Sequence, residues 1–196
     1  MNSSPGLRER KKQKTRWAIQ EHALRLFAQQ GYDSTTVEQI AEAAEISPST
    51  FFRYFKTKED LVVEDRYDDM MLAVIEATPP EVGPFETLRR AMVDAMGELD
   101  AAEEQQILLR MKLTFSVPQL RARSIGNLMT ATDTFAPPIA RRLGREPDDI
   151  EVRAFVTGFM GAIGSAVIAW AESGGKLKLR EVAERAVTAL AKFSAM

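Results

Sequence analysis

Six cations crowd the start of the chain: Arg8, Arg10, Lys11, Lys12, Lys14 and Arg16 face a single acid, Glu9. A basic run of this kind binds polyanions, and phosphate fits because each phosphate neutralised releases condensed counterions. The cations enter a helix from its N-terminal side, where the backbone dipole disfavours positive charge, so a partner of opposite sign explains the placement. The alternative for such a run is a solvated tail. Bond-making chemistry is poorly supplied. The 196 residues hold no cysteine and one histidine, His22. Disulfides, thiolate metal sites, cysteine nucleophiles and multi-histidine centres are therefore excluded. With no glycine-rich phosphate loop and no paired histidine and carboxylate motif, an enzyme finds no support, and neither a metal nor a cofactor is expected.

The charge is unevenly spread. Lys and Arg number 26 against 28 Asp and Glu, a net of −2. Residues 1–60 carry ten basic and eight acidic side chains, and residues 61–196 carry sixteen and twenty. Hydrophobic residues at 45% and charged residues at 28% are the balance of a soluble globular protein. No apolar segment follows the basic start, because Trp17-Ala18-Ile19 runs straight into Gln20-Glu21-His22. A signal peptide is not expected, and the reading is cytoplasmic.

The elements that must position these groups are helices. Ile19, Ala23, Leu26 and Phe27 form one face of a helix over 14–30, which Gly31 ends. Thr36 with Gln39 reads as a capping box opening a short helix that carries Val37, Ile40, Ala41 and Ala44. Ser47-Pro48, a cap followed by proline at the first helical position, opens a third helix through Phe55. Thr57 with Asp60 repeats the cap-and-acid pattern and starts a fourth over 58–77, closed by Pro79-Pro80. The second and third helices are separated by only about three residues. This is a helix-turn-helix arrangement, whose second helix can lie in the major groove of DNA. Further helices are expected over 84–99, 103–115, 118–143 with a bend at Pro137-Pro138, 148–173 and 179–193. The fold class is all-α with about nine helices, divided into 1–60 and 61–196.

The residues Gly31-Tyr32-Asp33-Ser34-Thr35-Thr36-Val37-Glu38-Gln39-Ile40-Ala41, then Ala44, Ile46-Ser47, Thr50-Phe51-Phe52-Arg53-Tyr54-Phe55 and Lys58-Glu59-Asp60-Leu61, resemble the N-terminal domain of TetR-family transcriptional regulators. The resemblance implies a helix-turn-helix domain followed by an all-α ligand-binding and dimerisation domain, with double-stranded operator DNA, a second copy of the chain and a small-molecule effector as partners. Arg16, Thr35, Thr36, Tyr54 and Lys58 are then expected at the DNA backbone. A helix N-terminus with free N–H groups and a hydroxyl, as at Thr36, suits a phosphate. Ser47, Pro48, Ser49 and Thr50 begin the recognition helix, where base edges are nearest. There hydroxyls read permissively, and proline or threonine can meet a thymine methyl. Arg53 alone in this helix can make a bidentate contact to guanine. Two departures stand out. Phe52 replaces the family's usual tyrosine, and Glu45 replaces the usual glycine in the tight turn. If that turn needs a left-handed residue, glutamate costs roughly 1–2 kcal/mol there.

Beyond residue 80, 154–171 is uncharged over eighteen residues, the lower limit for a membrane span. A membrane-associated helical protein is the alternative to the regulator. Gly158, Gly161 and Gly164, however, weaken the stretch for lipid and allow close helix approach. It reads better as a dimer helix, with Gly158, Gly161, Gly164 and Val167 joined by Val182, Ala186 and Leu190 of the last helix. Methionines and phenylalanines gather between residues 70 and 160, and flexible thioethers beside aromatic rings suit an adaptable apolar pocket. Met92, Met96, Met111, Phe115, Met129 and Phe159 are the candidates for binding an apolar or amphipathic effector. The combined expectation is a homodimeric repressor on a near-palindromic operator, released by that effector.

Overall fold

Leu7–Gln30 forms a single helix, α1, in a computed structural model that describes residues 7–63 and 67–194. It starts seven residues before the expected Lys14, so the basic run lies within the helix. Lys11, Lys12 and Lys14 point to solvent, and the side chains of Arg8 and Arg10 lie outside the described residues. The stripe buried on α1 is Ile19, Ala23, Leu24 and Phe27. Leu24 takes the place expected for Leu26, which is half-buried.

Two short helices follow, α2 (Val37–Ala43) and α3 (Pro48–Tyr54). The helix expected over 58–77 is represented by α4 (Asp60–Val63) and α5 (Asp68–Ala77), and 64–66 lie outside the described residues. Next come α6 (Pro84–Arg89), running into a π-helical turn at Arg90–Asp94, and α7 (Ala101–Ser116), capped reciprocally by Asp100 and Glu103. The series ends with α8 (Pro118–Leu143), α9 (Ile150–Glu172) and α10 (Leu179–Ser194). Pro137 and Pro138 sit inside α8 without dividing it, and Gly144 ends it at φ 64°, the left-handed conformation glycine adopts without penalty. No strand occurs among the described residues. The all-α class read from the caps and periodicities is the fold.

Packing forms two main cores. The first joins α1 to α4 through Ile19, Phe27, Ile40, Phe51, Phe55 and Leu61, and takes Leu113 from α7 and Leu120 from α8. The second, around Leu88, Met92, Phe135, Ile139, Val156 and Phe159, holds the remaining helices together. A smaller cluster about Trp170, Leu108 and Leu179 adjoins it. Helix α9 is long and apolar enough to cross a membrane. It nonetheless buries Val152, Val156, Phe159, Ile163, Ala166 and Trp170 along one side, the spacing of a core helix.

Arg142 secures the end of α5. Its guanidinium donates to the carbonyls of Ile75 at 2.6 Å, Pro79 at 3.0 Å, and Thr78. The last carbonyls of a helix have no intrahelical donor, and charged donors to them contribute more than neutral ones. Arg142→Ala should therefore lower unfolding free energy by about 1 kcal/mol, read by urea denaturation. An unchanged midpoint would mean that water replaces the arginine without loss.

Candidate nucleic-acid interface and effector cavity

The N-terminus of α2 is closed by a reciprocal cap. The Thr36 hydroxyl accepts from the Gln39 N–H at 3.2 Å, and the Gln39 carbonyl oxygen Oε1 accepts from the Thr36 N–H at 2.9 Å. Gln30 Nε2 donates to the same Oε1 at 2.9 Å, tying the end of α1 to this cap. Thr36 is exposed. Thr35 is not: only 1% of its surface is accessible, and its hydroxyl donates to the Gly31 carbonyl at 2.7 Å. The Thr35 side chain holds the turn from inside, so its hydroxyl is not presented to solvent as that of Thr36 is.

The turn between α2 and α3 is a Schellman motif. The Ile46 N–H reaches the Ala41 carbonyl at 2.9 Å and the Glu45 N–H that of Glu42 at 3.0 Å. The motif places Glu45 at φ 54°, the only non-glycine residue with positive φ among those described. The turn geometry is thus kept and glutamate bears the strain. Glu45→Gly should stabilise the chain by about 1 kcal/mol, seen as a rise of roughly 2–4 °C in melting temperature. A lower melting temperature would show that the side chain compensates by contacts of its own.

Helix α3 begins with three hydroxyls joined through Ser47. Ser47 Oγ accepts from the Thr50 N–H at 3.1 Å, donates to Thr50 Oγ1 at 3.0 Å and lies 2.9 Å from Ser49 Oγ. Ser47, Pro48, Ser49, Phe52 and Arg53 are exposed and Thr50 is half-buried, while Phe51 and Phe55 are fully buried beneath them. Phe52 is 54% exposed and is held edge-on against Phe51 at 5.3 Å, so an apolar ring stands where the family's tyrosine would. The Arg53 guanidinium lies over the half-buried Tyr54 ring at 5.6 Å, and that of Arg16 over Phe55 at 4.8 Å. Lys58 turns inward. Its Nζ donates to the carbonyls of Tyr32 at 2.7 Å and Thr35 at 3.0 Å and sits 4.1 Å from the centre of the Tyr32 ring. It therefore braces the segment leading into α2. Burial, reinforced by the Glu59 carboxylate, pushes the Tyr32 hydroxyl far above its usual pKa.

Helix α4 joins this surface to the rest of the molecule. Asp60, 4% exposed, accepts the Thr57 N–H at 2.9 Å and pairs with Arg123 of α8, which also donates to Thr57 Oγ1 at 3.2 Å. The next three carbonyls each receive a side chain from a different helix. Leu61 O accepts from Gln20 at 2.8 Å, Val62 O from Arg110 Nε at 2.9 Å and Val63 O from Asn127 at 2.7 Å. Sequence reading missed all of these partners, since nothing in the spacing of a lone arginine or asparagine reveals a distant carbonyl.

A cavity of about 130 Å³ lies among α5, α7, α9 and the π-helical turn, with Met70, Met71, Met92, Met96, Met111 and Met160 in its wall. Met92, Met96 and Met111 were expected there. The other three candidates lie elsewhere. Met129 is 47% exposed on α8, Phe115 packs in the Trp170 cluster, and Phe159 is locked in the main core against Phe85 at 5.5 Å and Phe155 at 6.5 Å. None of the three lines the cavity. Periodicity could not separate cavity wall from packed core.

Helices α9 and α10 also present an open groove in which Ala166, Ala169, Val182, Ala186 and Ala189 stand among charged residues such as Glu181, Glu184, Arg185 and Lys192. Leu190 is half-buried, and Ile168 is 40% exposed. Val167 is half-buried and lines the methionine cavity, and Val182 and Ala186 are likewise half-buried against the main core. A methyl group added at Gly158, Gly161 or Gly164 would meet nothing within 4 Å.

Residues 19–64 match the family described as bacterial regulatory proteins, tetR family, and residues 82–194 match the MftR C-terminal domain. The regulator TcmR of Streptomyces glaucescens is 34% identical over 172 residues, covering 84% of this chain and 76% of its own length. The fold is shared with FadR of Thermus thermophilus, a TetR-family repressor solved with lauroyl-CoA, at a TM-score of 0.57, 23% identity and coverage of 88% and 91%. It is shared too with FadR of Bacillus subtilis, solved with stearoyl-CoA, at a TM-score of 0.53, 21% identity and coverage of 88% and 95%. The chain belongs to the TetR family of ligand-responsive, DNA-binding transcriptional regulators, whose relatives are regulators and not enzymes.

Proposed function

We propose that this chain is a cytoplasmic homodimeric repressor that binds a near-palindromic operator and leaves it when a compact, mainly apolar molecule enters the methionine cavity. The observation that carries the DNA half is the start of α3. Ser47, Pro48, Ser49, Phe52 and Arg53 are exposed with Thr50 half-buried among them, above a core that includes Phe27, Phe51 and Phe55. In this reading Ser47, Pro48, Ser49, Thr50 and Arg53 meet base edges, while Arg16, Thr36 and Tyr54 serve the phosphates. Lys58 acts from behind, by fixing the carbonyls ahead of α2.

The second copy docks on α9 and α10. Glycine inside a helix costs about 1 kcal/mol relative to alanine, and nothing among the described residues of the protomer uses the space at Gly158, Gly161 or Gly164. A partner helix approaching closely would use it. Two-fold symmetry then presents α3 twice, about one helical turn or 34–36 Å apart. An effector that prefers another spacing lowers operator affinity by its differential affinity for the two states.

The deciding experiment is selection of bound fragments from random duplex DNA, which should return a palindrome; a sequence without two-fold symmetry would overturn the dimeric reading. On the selected duplex, Thr50→Ala should change base preference at one symmetric pair of positions, about 1–3 kcal/mol per base pair lost. Arg16→Ala should weaken all sequences alike and flatten the salt dependence by about one unit. A base-specific effect of Arg16 would reassign it.

A further inference from the structure

Trp170 is 1% exposed, and its indole Nε1–H has no hydrogen-bond partner among the described residues. A buried donor left unpaired is costly, and native proteins contain few of them. The residue stands at one end of the methionine cavity. Met160, Ile163 and Val167 of α9 line that cavity, and Trp170 continues their stripe three residues further along the helix. Met96, Leu99, Ile107, Met111, Val167 and Leu179 belong both to the cavity wall and to the cluster packed around the indole. We propose that Trp170 is the polar anchor of the effector site, its indole N–H donating to the carbonyl oxygen of a single-ring ligand whose body fills the cavity. The inference rests on the effector reading above and narrows its ligand class.

Size sets the first limit. An apolar cavity of roughly 150 Å³ takes up benzene, so about 130 Å³ holds a single ring. Met96 and Met111, common to cavity and cluster, turn about three side-chain bonds and can admit a short substituent toward the indole. The kind of acceptor is the second limit. An indole N–H only donates, and the side chains shared by cavity and cluster are methionine, leucine, isoleucine and valine. A hydroxyl would satisfy the indole but bring a proton of its own, with only thioether sulfur, a weak acceptor, to receive it. A ketone or ester carbonyl accepts without adding a donor that must then be buried unpaired. Position supplies the consequence. The Trp170 carbonyl accepts from Ser173 Oγ at 2.6 Å and from the Gly175 N–H at 3.1 Å, which fixes the turn from α9 into α10. A ligand that draws on Trp170 therefore acts at the junction of the two helices assigned to docking.

The experiment uses full-length protein labelled with ¹³C at the methionine methyls and ¹⁵N at the indoles of its two tryptophans, with Trp17→Phe to assign the signals. The probes are acetophenone, α-methylstyrene, in which a CH₂ group replaces the carbonyl oxygen, and 1-phenylethanol. Acetophenone and α-methylstyrene should both shift the cavity methionine methyls while exposed Met129 stays still. Acetophenone alone of these two should move the Trp170 indole proton downfield. Trp170→Phe, which keeps an aromatic ring and loses the donor, should weaken acetophenone about fivefold more than α-methylstyrene, the size of one hydrogen bond. 1-Phenylethanol should bind the unaltered protein about fivefold less tightly than acetophenone, for its unpaired proton. Should Trp170→Phe not fold, the indole shift in the unaltered protein decides. An indole signal that ketone and alkene move alike, equal losses of both in the variant, or tighter binding by the alcohol would each overturn the anchor and leave the cavity as an effector site. Cavity methyls unmoved by every probe would overturn the effector reading with it. Binding of the selected duplex by the unliganded protein is measured alongside, and its loss would strike the regulator reading instead.

Discussion

Arginine in place of Ala186 should turn the protein into a folded monomer and lower its affinity for the selected duplex at least 100-fold. Ala186 is half-buried on α10, in the groove it shares with Ala166, Ala169, Val182 and Ala189. In a two-fold interface each residue enters twice, so one substitution brings two guanidinium groups into the same apolar contact. Seating two long charged side chains among the alanines of this contact costs several kcal/mol in lost packing and desolvation, even with Glu181 and Glu184 in the groove lining. A monomer then grips one half-site only, and the effective-concentration gain of the second, commonly 10² to 10⁴, disappears. Sedimentation velocity reads the mass, circular dichroism the fold, and fluorescence anisotropy the affinity. A variant that stays dimeric, or a monomer that binds as tightly as the original, would remove this face from the assembly. Gly161→Ala sharpens the comparison. In an isolated helix the change gains about 1 kcal/mol, whereas a partner packed on the glycine would make the dimer weaker.

The helical frame could be read from the sequence because its signals are local. Thr36 with Gln39, Ser47 before Pro48 and Gly144 at the end of α8 each act within a few residues, and each appears in the structure as an observed cap or stop, whereas Thr57 with Asp60 yields the bond from the Thr57 N–H to the Asp60 carboxylate and a helix that starts at Asp60. The strained glutamate could be anticipated as well, because the demand for a left-handed residue at position 45 comes from the turn alone. Side-chain destination was harder. Thr35 and Thr36 are adjacent and chemically identical, yet one is buried in the turn and the other caps α2 on the surface. Met92 and Met129 are equally apolar, yet one lines a cavity and the other faces water. These outcomes depend on which helices pack together, and no window of sequence contains that information. The same holds for Gln20, Arg110 and Asn127, which reach α4 carbonyls 41, 48 and 64 residues away.

Those distant bonds make the junction at α4 the second place where one substitution should matter greatly. Asp60→Ala removes the acceptor for the Thr57 N–H and the partner of Arg123 together. Short helical segments gain little from propensity alone, so the contacts at the start of α4 matter for holding it. Arg123 is 44% exposed and can turn to water when its partner is lost, so the full penalty of a buried, broken pair does not apply. The expected loss is about 2 kcal/mol, a fall of roughly 4–8 °C in melting temperature for a chain of this size. Arg123→Ala should cost less, about 1 kcal/mol, because Asp60 keeps its backbone bond. The double variant should cost less than the sum, since both singles break one shared interaction. The junction also predicts a change beyond stability. With Asp60 and Arg123 disconnected, a ligand in the methionine cavity retains its affinity, but its effect on duplex binding shrinks, because one of the ties from α8 to the DNA-binding unit is gone. Melting curves, the double-mutant cycle and duplex release by toluene, an apolar probe sized for the methionine cavity, measure the three quantities separately. Strict additivity of the two substitutions, or unaltered release, would show that α4 is held, and moved, by the carbonyl contacts alone.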